Sequence, residues 1–398
     1  MLDLSEYTVL DLSWLLPGPY GTRHLSDLGM EIIKIEEPTD GDYARWLDPK
    51  VKDTGLSRLF HTVNRNKKSV AVDLSTDEGT AAFLELAANA DVVFEQFRPG
   101  VVERLGVDYE SIRSVNEDIV YCSLTGYGRN GPYSGRVNHD INWGAIAGLL
   151  DKTKSRDSDL PTQPGFPVGD MAGGMAAAFG IVIGLLNREL GNGGQYFDIS
   201  MTDIIFSMGT GQEWEAMYKN SGQEIPEEYM RTPVDLRHPC HAVYPTADGE
   251  YITVAAVEEK FWNELLDSLD REDLQEYQYA RGERGDYAYS ELTSEFEKRT
   301  REEWADQLSD EVPVAPVNRY HEAFKHEQIQ ARDMVEKVDI GDETITQTGF
   351  PMQTSSGVNG RRSRAPVLGE HSREILSSVL STDDIDRLIE NDVVKVPE

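Results

Sequence analysis

Apolar and polar positions along this chain of 398 residues fall into short runs of two kinds, and the first eighty show the rule. Residues 7–12 (Y-T-V-L-D-L) are a continuous apolar run that reads as a buried strand. From Ser13, S-W-L-L-P-G-P-Y-G-T turns into a helix that runs to about residue 28, and residues 29–36 (G-M-E-I-I-K-I-E) return as a strand. Strand, Gly/Pro turn, helix and strand make a βαβ unit, so a parallel sheet is predicted. The pattern recurs downstream. Residues 69–74 (S-V-A-V-D-L) read as a strand, 77–90 as an alanine-rich helix, 91–95 (D-V-V-F-E) as a strand and 103–115 as a helix. Residues 119–125 (I-V-Y-C-S-L-T) read as a strand that ends in G-Y-G-R-N-G-P-Y. The sheet therefore has at least five strands. No G-x-G-x-x-G joins the first strand to its helix, which leaves a nicotinamide or flavin cofactor without support.

Residues 171–186 (M-A-G-G-M-A-A-A-F-G-I-V-I-G-L-L) carry small side chains on most faces, which predicts a closely packed helix in a deeply buried position, too short and glycine-rich to span a membrane. A tight Gly turn, a strand and a helix start follow in G-N-G-G-Q-Y-F-D-I-S-M-T-D. The texture changes near residue 220. Residues 220–238 are polar without a clear period, 249–257 alternate as a strand, and 261–269 and 301–308 are amphipathic helices, which together predict a smaller second domain. V-P-V-A-P-V at 312–317 reads as an extended segment near its end. A helix over 376–388 and a charged tail finish the chain.

Composition narrows the function classes. Apolar residues make up 39% of the chain, enough for sizeable cores. Against 38 Lys and Arg stand 71 Asp and Glu, a formal charge of −33 scattered along the whole length, which argues against nucleic acid as a partner. Acidity spread this evenly fits solvation in a salt-rich cytoplasm, where counterions screen self-repulsion. Cys122 and Cys240 form no disulfide framework and lack zinc spacing, so no metal is expected. The N-terminus lacks the basic and apolar regions of a signal peptide, and no uncharged run reaches bilayer length, so the expected location is the cytoplasm.

The residues that carry chemistry begin with Asp170, set among glycines in G-F-P-V-G-D-M-A-G-G-M at a helix N-terminus. An aspartate there is either an ordinary N-cap or an ionised carboxylate poised as nucleophile or base. The cations of N-R-N-K-K (Arg65, Lys67), Arg98 in F-R-P-G and the Gly126-Tyr127-Gly128 turn are expected to cluster beyond the carboxyl ends of the strands as an anion site. His139 beside Asp140 is a candidate base, and Glu258 a second acid/base group. Residues 237–241 (R-H-P-C-H) are a further group. No Gly-x-Ser-x-Gly elbow, metal cluster or Walker loop is present. Taken alone, these residues define an α/β enzyme with an anion-binding loop set.

The order L-L-P-G-P-Y-G-T, L-G-M-E-I-I-K-I-E, N-R-N-K-K-S-V-A-V-D-L, F-R-P-G-V, L-T-G-Y-G-R-N-G-P-Y and P-V-G-D-M-A-G-G-M resembles the family III CoA-transferases over nearly the whole chain. The same family contains the alpha-methylacyl-CoA racemases. The resemblance implies a large Rossmann-like parallel-sheet domain (residues 1–220, completed by 326–398), a small α+β domain (221–325), and a homodimer of interlocked protomers. It implies that Arg65, Lys67, Arg98, Gly126, Tyr127, Gly128 and Asp140 lie along a CoA thioester, which is a substrate and not a tightly bound cofactor. In the transferases the aspartate matching Asp170 attacks a donor thioester to form an aspartyl anhydride and then an aspartyl-CoA thioester, and its glycine neighbours admit the bulky acyl groups. In the racemases that aspartate works with a histidine in G-H-D-I-N-Y and a glutamate in I-E-P-x-F. His139 in N-H-D-I-N-W and Glu258 in V-E-E-K-F-W match both, and no counterpart of the transferases' glycine-rich loop is evident. Where racemases carry an apolar stretch, this chain has L-R-H-P-C-H-A-V, so Arg237, His238 or Arg231 could hold the distal carboxylate of a small dicarboxylic acid. The reading is CoA transfer to a small or dicarboxylic acid, with a racemase as alternative and a non-catalytic CoA-binding scaffold behind both.

The charge pattern makes one direct prediction. Thermal unfolding measured from dilute buffer to molar salt is expected to shift upward with salt; a melting curve that stays in place contradicts the reading of the acidic surface.

Overall fold

The fold is taken from a computed structural model that describes residues 4–154, 158, 160–226, 238–308, 312–355, 357 and 362–397. In chain order its strands are β1 (Thr8–Asp11), β2 (Glu31–Glu36), β3 (Lys68–Val72), β4 (Val92–Glu95), β5 (Val120–Thr125), β6 (Gln195–Ser200), β7 (His241–Pro245), β8 (Tyr251–Ala255), β9 (Val314–Pro316), β10 (Val335–Ile340), β11 (Glu343–Thr348) and β12 (Val394–Lys395). The chain divides into two compact units, one of Met1–Lys154, Pro161–Thr210 and Gln330–Glu398, the other of Ser155–Leu160 and Gly211–Ile329.

The first unit is built on a seven-stranded sheet of order β12-β3-β2-β1-β4-β5-β6. All neighbours run parallel except β12, which closes one edge antiparallel to β3. Period-2 alternation splits β1, β2, β4 and β5 between two cores. Leu10, Ile33, Val93 and Tyr121 enter the core on one face, with Phe83 and Leu86 of the Asp77–Ala87 helix. Val9, Ile32, Phe94 and Cys122 enter the core on the other face, with Leu25, Ala177 and Ile181. Both faces are thus covered, as a parallel sheet requires. Because β2 and β4 flank β1, the strand order reverses between β1 and β4, and ligand crevices open beyond the carboxyl ends at such a switch point. The second unit holds the antiparallel sheet β7-β8-β9 over a core that includes Trp262, Leu292 and Phe296.

Three expected helices differ. The single helix over 103–115 is two, Val101–Leu105 and Tyr109–Arg113, because Gly106 adopts a left-handed φ of 68° and Asp108 caps the second through the N–H groups of Glu110 and Ser111. The helix over 376–388 is likewise Ser372–Leu376 and Thr382–Glu390, the second started by the Ser381 hydroxyl. The glycine-rich helix spans Val168–Asn187 and, extended to Asn192, is long and apolar enough to cross a membrane by length and composition, with 50% of its apolar window buried inside the chain. It is not deeply buried all round: Phe179 is 68% and Leu186 58% exposed.

Its glycines set its depth on the other side. A Cβ on Gly21 of the Pro17–Asp27 helix would lie 2.4 Å from the Gly174 carbonyl oxygen, and one on Gly174 would lie 2.3 Å from that of Pro17. Backbone meets backbone here, and neither partner can rotate away. Gly21→Ala is therefore expected to cost about 2 kcal/mol or more. Chemical denaturation in molar salt checks it, and a loss below about 0.5 kcal/mol contradicts the packing argument.

Candidate active site

The site grows from how the Val168–Asn187 helix begins. Its N-cap position is Pro167, which offers no side-chain acceptor to the first amides. The acceptor comes from elsewhere: Asp140 Oδ1 accepts the N–H groups of Gly169 (2.6 Å) and Asp170 (3.1 Å). Asp170 is thus not the cap. It sits in the first helical turn, and its carboxylate accepts no hydrogen bond from any described residue. Burial, and then the neighbouring Asp140 charge, push its pKa up to about 7.

Missing side chains bring these groups together. A Cβ at Gly169 would fall 2.9 Å from Asp140 Oδ1 and 2.8 Å from the Trp143 ring. Trp143 Nε1 donates to Asn138 Oδ1 (2.8 Å), and both crowd Gly126, where a Cβ would come within 2.3 Å of either. Gly126 in turn accepts from the Thr202 N–H (3.0 Å) and hydroxyl (2.7 Å). Gly126, Asp140 and Asp170 therefore belong to one packed cluster. Gly173 is pressed against Met201, where a Cβ would come within 2.5 Å of Cγ. The glycines beside Asp170 are occupied by protein contacts and do not leave the open backbone expected for acyl groups. His139 is the N-cap residue of the Asp140–Ile146 helix, its N–H held by Asn142 Oδ1 (2.9 Å) and its ring exposed.

Other expected residues lie on neighbouring loops. Arg98 follows β4, is exposed and has no ionic partner among the described residues. Tyr127 packs edge-on to Tyr133 (5.5 Å between centroids), and Gly128 needs its positive φ of 77°. Sequence reasoning passed over Arg129, which fastens this turn. Its N–H donates to Asp198 (3.1 Å) and its guanidinium to Ser123 Oγ (3.0 Å) and Glu95 Oε1 (3.0 Å). The strong signal was the cation inside G-Y-G-R-N-G-P. It also passed over Tyr43, 45% exposed, whose pKa is raised by partial burial and then by the charges of Asp42 and Asp170. Asp170 is thus within electrostatic reach of the phenol.

Arg65 and Lys67 correct the expected anion site. They lead into β3 and do not leave a strand's carboxyl end. Arg65 is fully buried, donating to Asp27 through Nε (3.0 Å) and Nη2 (2.5 Å) and to the Thr348 carbonyl (2.8 Å). Asp27 ends the helix that runs back from β1, which puts this pair toward the amino ends of the strands. Buried Lys67 donates to Asp11 (3.1 Å), Thr22 Oγ1 (2.7 Å) and Asn64 Oδ1 (2.9 Å), and burial draws its pKa down to about 8 against the pull of Asp11. Both cations neutralise the chain's own carboxylates and offer nothing to a soluble anion.

In the second unit, His238 is fully buried, against Tyr279 (5.5 Å) and 3.4 Å from Arg281 Nη2, which corrects its expected role on a substrate. Glu258 is the exposed N-cap residue of the Glu259–Ser268 helix. Arg231 and Arg237 lie outside the described residues.

A parallel α/β sheet thus carries a desolvated carboxylate on a helix's first turn and an exposed cation on the loop beyond β4. The model of CoA-transferase family III matches residues 4–372, and the chain belongs to that family and is a CoA-transferase. It is 32% identical to the succinyl-CoA:mesaconate CoA-transferase of Haloarcula hispanica, over 94% of this chain and 95% of the relative. It is 29% identical to the succinyl-CoA:glutarate CoA-transferase of Mus musculus, over 100% of this chain and 92% of the relative. Among solved structures it resembles a CAIB/BAIF family protein from Brucella suis, with TM-score 0.79 and 28% identity, covering 95% of this chain and 99% of the other.

The electrostatics of Asp170 can be checked without substrate. A carboxyl whose folded pKa is raised to about 7 lowers stability when it ionises, fully above that pH and not at all below the unfolded value near ~4. Asp170→Asn is therefore expected to raise the melting temperature at pH 8 and leave it unchanged at pH 4. Asp140→Asn, which keeps an acceptor for the helix, should reduce the Asp170→Asn gain only in part, because burial is the larger cause. An equal shift at both pH values contradicts the assignment.

Proposed function

We propose that this enzyme moves CoA from a short dicarboxylyl-CoA, of the succinyl-CoA type, to a second small carboxylic acid through covalent intermediates on Asp170. The observation that carries the mechanism is the Asp170 carboxylate itself, desolvated and accepting no hydrogen bond among the described residues, on the first turn of a helix. The names of the relatives, succinyl-CoA:mesaconate and succinyl-CoA:glutarate CoA-transferase, support the substrate class. In this reading Arg98, exposed on the loop beyond β4, takes the phosphates of CoA.

The steps balance without a proton. An Asp170 oxygen attacks the thioester carbonyl, the C–S bond breaks, and CoA leaves as thiolate from an aspartyl anhydride. The thiolate attacks the aspartyl carbonyl of that anhydride, the donor acid leaves as carboxylate, and an aspartyl-CoA thioester remains. The acceptor carboxylate displaces the thiolate to form a second anhydride. Attack of the thiolate on the acceptor's carbonyl then releases the new acyl-CoA and restores Asp170. Holding the thiolate and acid close through all four displacements is the task of the crevice.

A second copy of the chain completes the assembly in this reading. Phe179, Leu186, Phe206 and Met208 are each more than half exposed on or near the Val168–Asn187 helix, an apolar face of the sort that monomers seldom leave open. The family resemblance, which implies interlocked homodimers, supports a second copy of the chain as what covers this face.

Incubation with succinyl-CoA alone, followed by hydroxylamine, is expected to inactivate the enzyme and leave a mass adduct on Asp170. Asp170→Ala should lower transfer by at least about a thousandfold. Alpha-deuterium uptake from deuterated water without an acceptor, and no adduct, would establish the racemase reading in which His139 and Asp170 exchange a proton.

A further inference from the structure

The turn that leaves β1 is held in a conformation its sequence does not favour. Leu15 has φ of +61°, in the left-handed region where a branched side chain is strained and glycine is at ease. One side chain holds it there: both carboxylate oxygens of Asp42 lie 3.1 Å from the Leu15 N–H. Asp42 is fully buried, also accepts the Ala44 N–H (2.9 Å), and is fixed by Lys34 (3.0 Å). Lys34 Nζ reaches on to the Ser13 carbonyl (2.6 Å), while Asp11 accepts the Ser13 N–H (2.9 Å). Residues 13 to 15 are thus pinned from below at two points.

What the turn touches makes this more than a buried ion pair. Trp14 packs edge-on to Tyr43 (6.4 Å) and to Phe97 (6.5 Å), the residue before Arg98. Gln96 Oε1 accepts the Gly18 N–H (2.9 Å), joining the loops beyond β1 and β4 across the switch point. Gly174, one helical turn after Asp170, packs on the Pro17 carbonyl. The shape of the 13–17 turn is therefore continuous with the seat of Asp170. We infer that Asp42 is a positioning residue for catalysis: it stabilises the strained Leu15 turn in the arrangement that lines the crevice beside Asp170, and without it the turn relaxes to negative φ and carries Trp14 with it.

The inference rests on the reaction proposed above, and its test includes a readout that does not. Asp42→Asn weakens the clamp, and is expected to lower kcat/KM about a hundredfold and to speed hydrogen exchange across residues 12–18 in the substrate-free protein. Adding Leu15→Gly to Asp42→Asn should restore kcat/KM by about tenfold or more and slow that exchange again, since glycine adopts the turn without help. Adding Leu15→Ala, which removes the same side chain but keeps the strain, should restore neither. If Asp42→Asn alone fails to fold, the Leu15→Gly double variant is still expected to fold and turn over. Equal behaviour of the glycine and alanine double variants, folded or not, overturns the inference. Exchange is read without substrate, so a failure of the transfer chemistry leaves this outcome intact.

Discussion

The hydrogen bonds from Gly169 and Asp170 to Asp140 are the interaction on which the site depends. A helix start leaves several N–H groups without partners, and an aspartate close by would ordinarily satisfy them. Here that work is done by a carboxylate from 30 residues upstream. Two acidic groups therefore share one helix end with unlike fates. Asp140 is solvated by amides, whereas Asp170 is left with burial and a like charge beside it, which raises its pKa.

Absent side chains make that arrangement possible. Gly126, Gly169, Gly173 and Gly174 are each in such close contact that a single added carbon would collide with a neighbour. Through them the β5 turn, the Asp140 helix, the Pro17–Asp27 helix and the Asp170 helix become one packed body. Leu15 belongs to the same body by a different device, a strained backbone compensated by a buried charge; a left-handed leucine costs about 1–2 kcal/mol, within what a charged hydrogen bond returns.

The sequence revealed what depends on local pattern. Strands β1 to β6 and the two-sided burial of the sheet follow from apolar runs and their period. Asp170 was legible as a residue at a helix start, but its partner was not, because a cap supplied from residue 140 leaves no motif near residue 170. Arg65 and Lys67 failed for the same physical reason. A basic cluster in an acidic chain resembles an anion site until the fold shows that Asp27 and Asp11 lie against it, 38 and 56 residues away in sequence. Gly106 and Ser381 broke helices that periodicity alone would continue. The hairpin of β10 and β11 was too polar, and the edge strand β12 too short, to stand out.

The chemistry gives the raised pKa of Asp170 a purpose. A thiol ionises near ~8.5 and an ordinary aspartate near ~3.9, so attack of such a carboxylate on a thioester exchanges a weak base for a much stronger one across roughly 4.5 units. Raising the Asp170 pKa to about 7 narrows that gap and makes the attacking carboxylate a stronger base. In the proposed transfer, desolvation therefore does more than exclude water: it raises the basicity of the attacking carboxylate toward that of the thiolate it must expel. A base of pKa near 7 would also suit removal of an alpha proton, so the value alone does not divide the two reactions. Proton count does. Transfer exchanges carboxylates and thiolates with no proton gained or lost, and needs nothing from His139; racemisation needs a second group to return the proton on the opposite face.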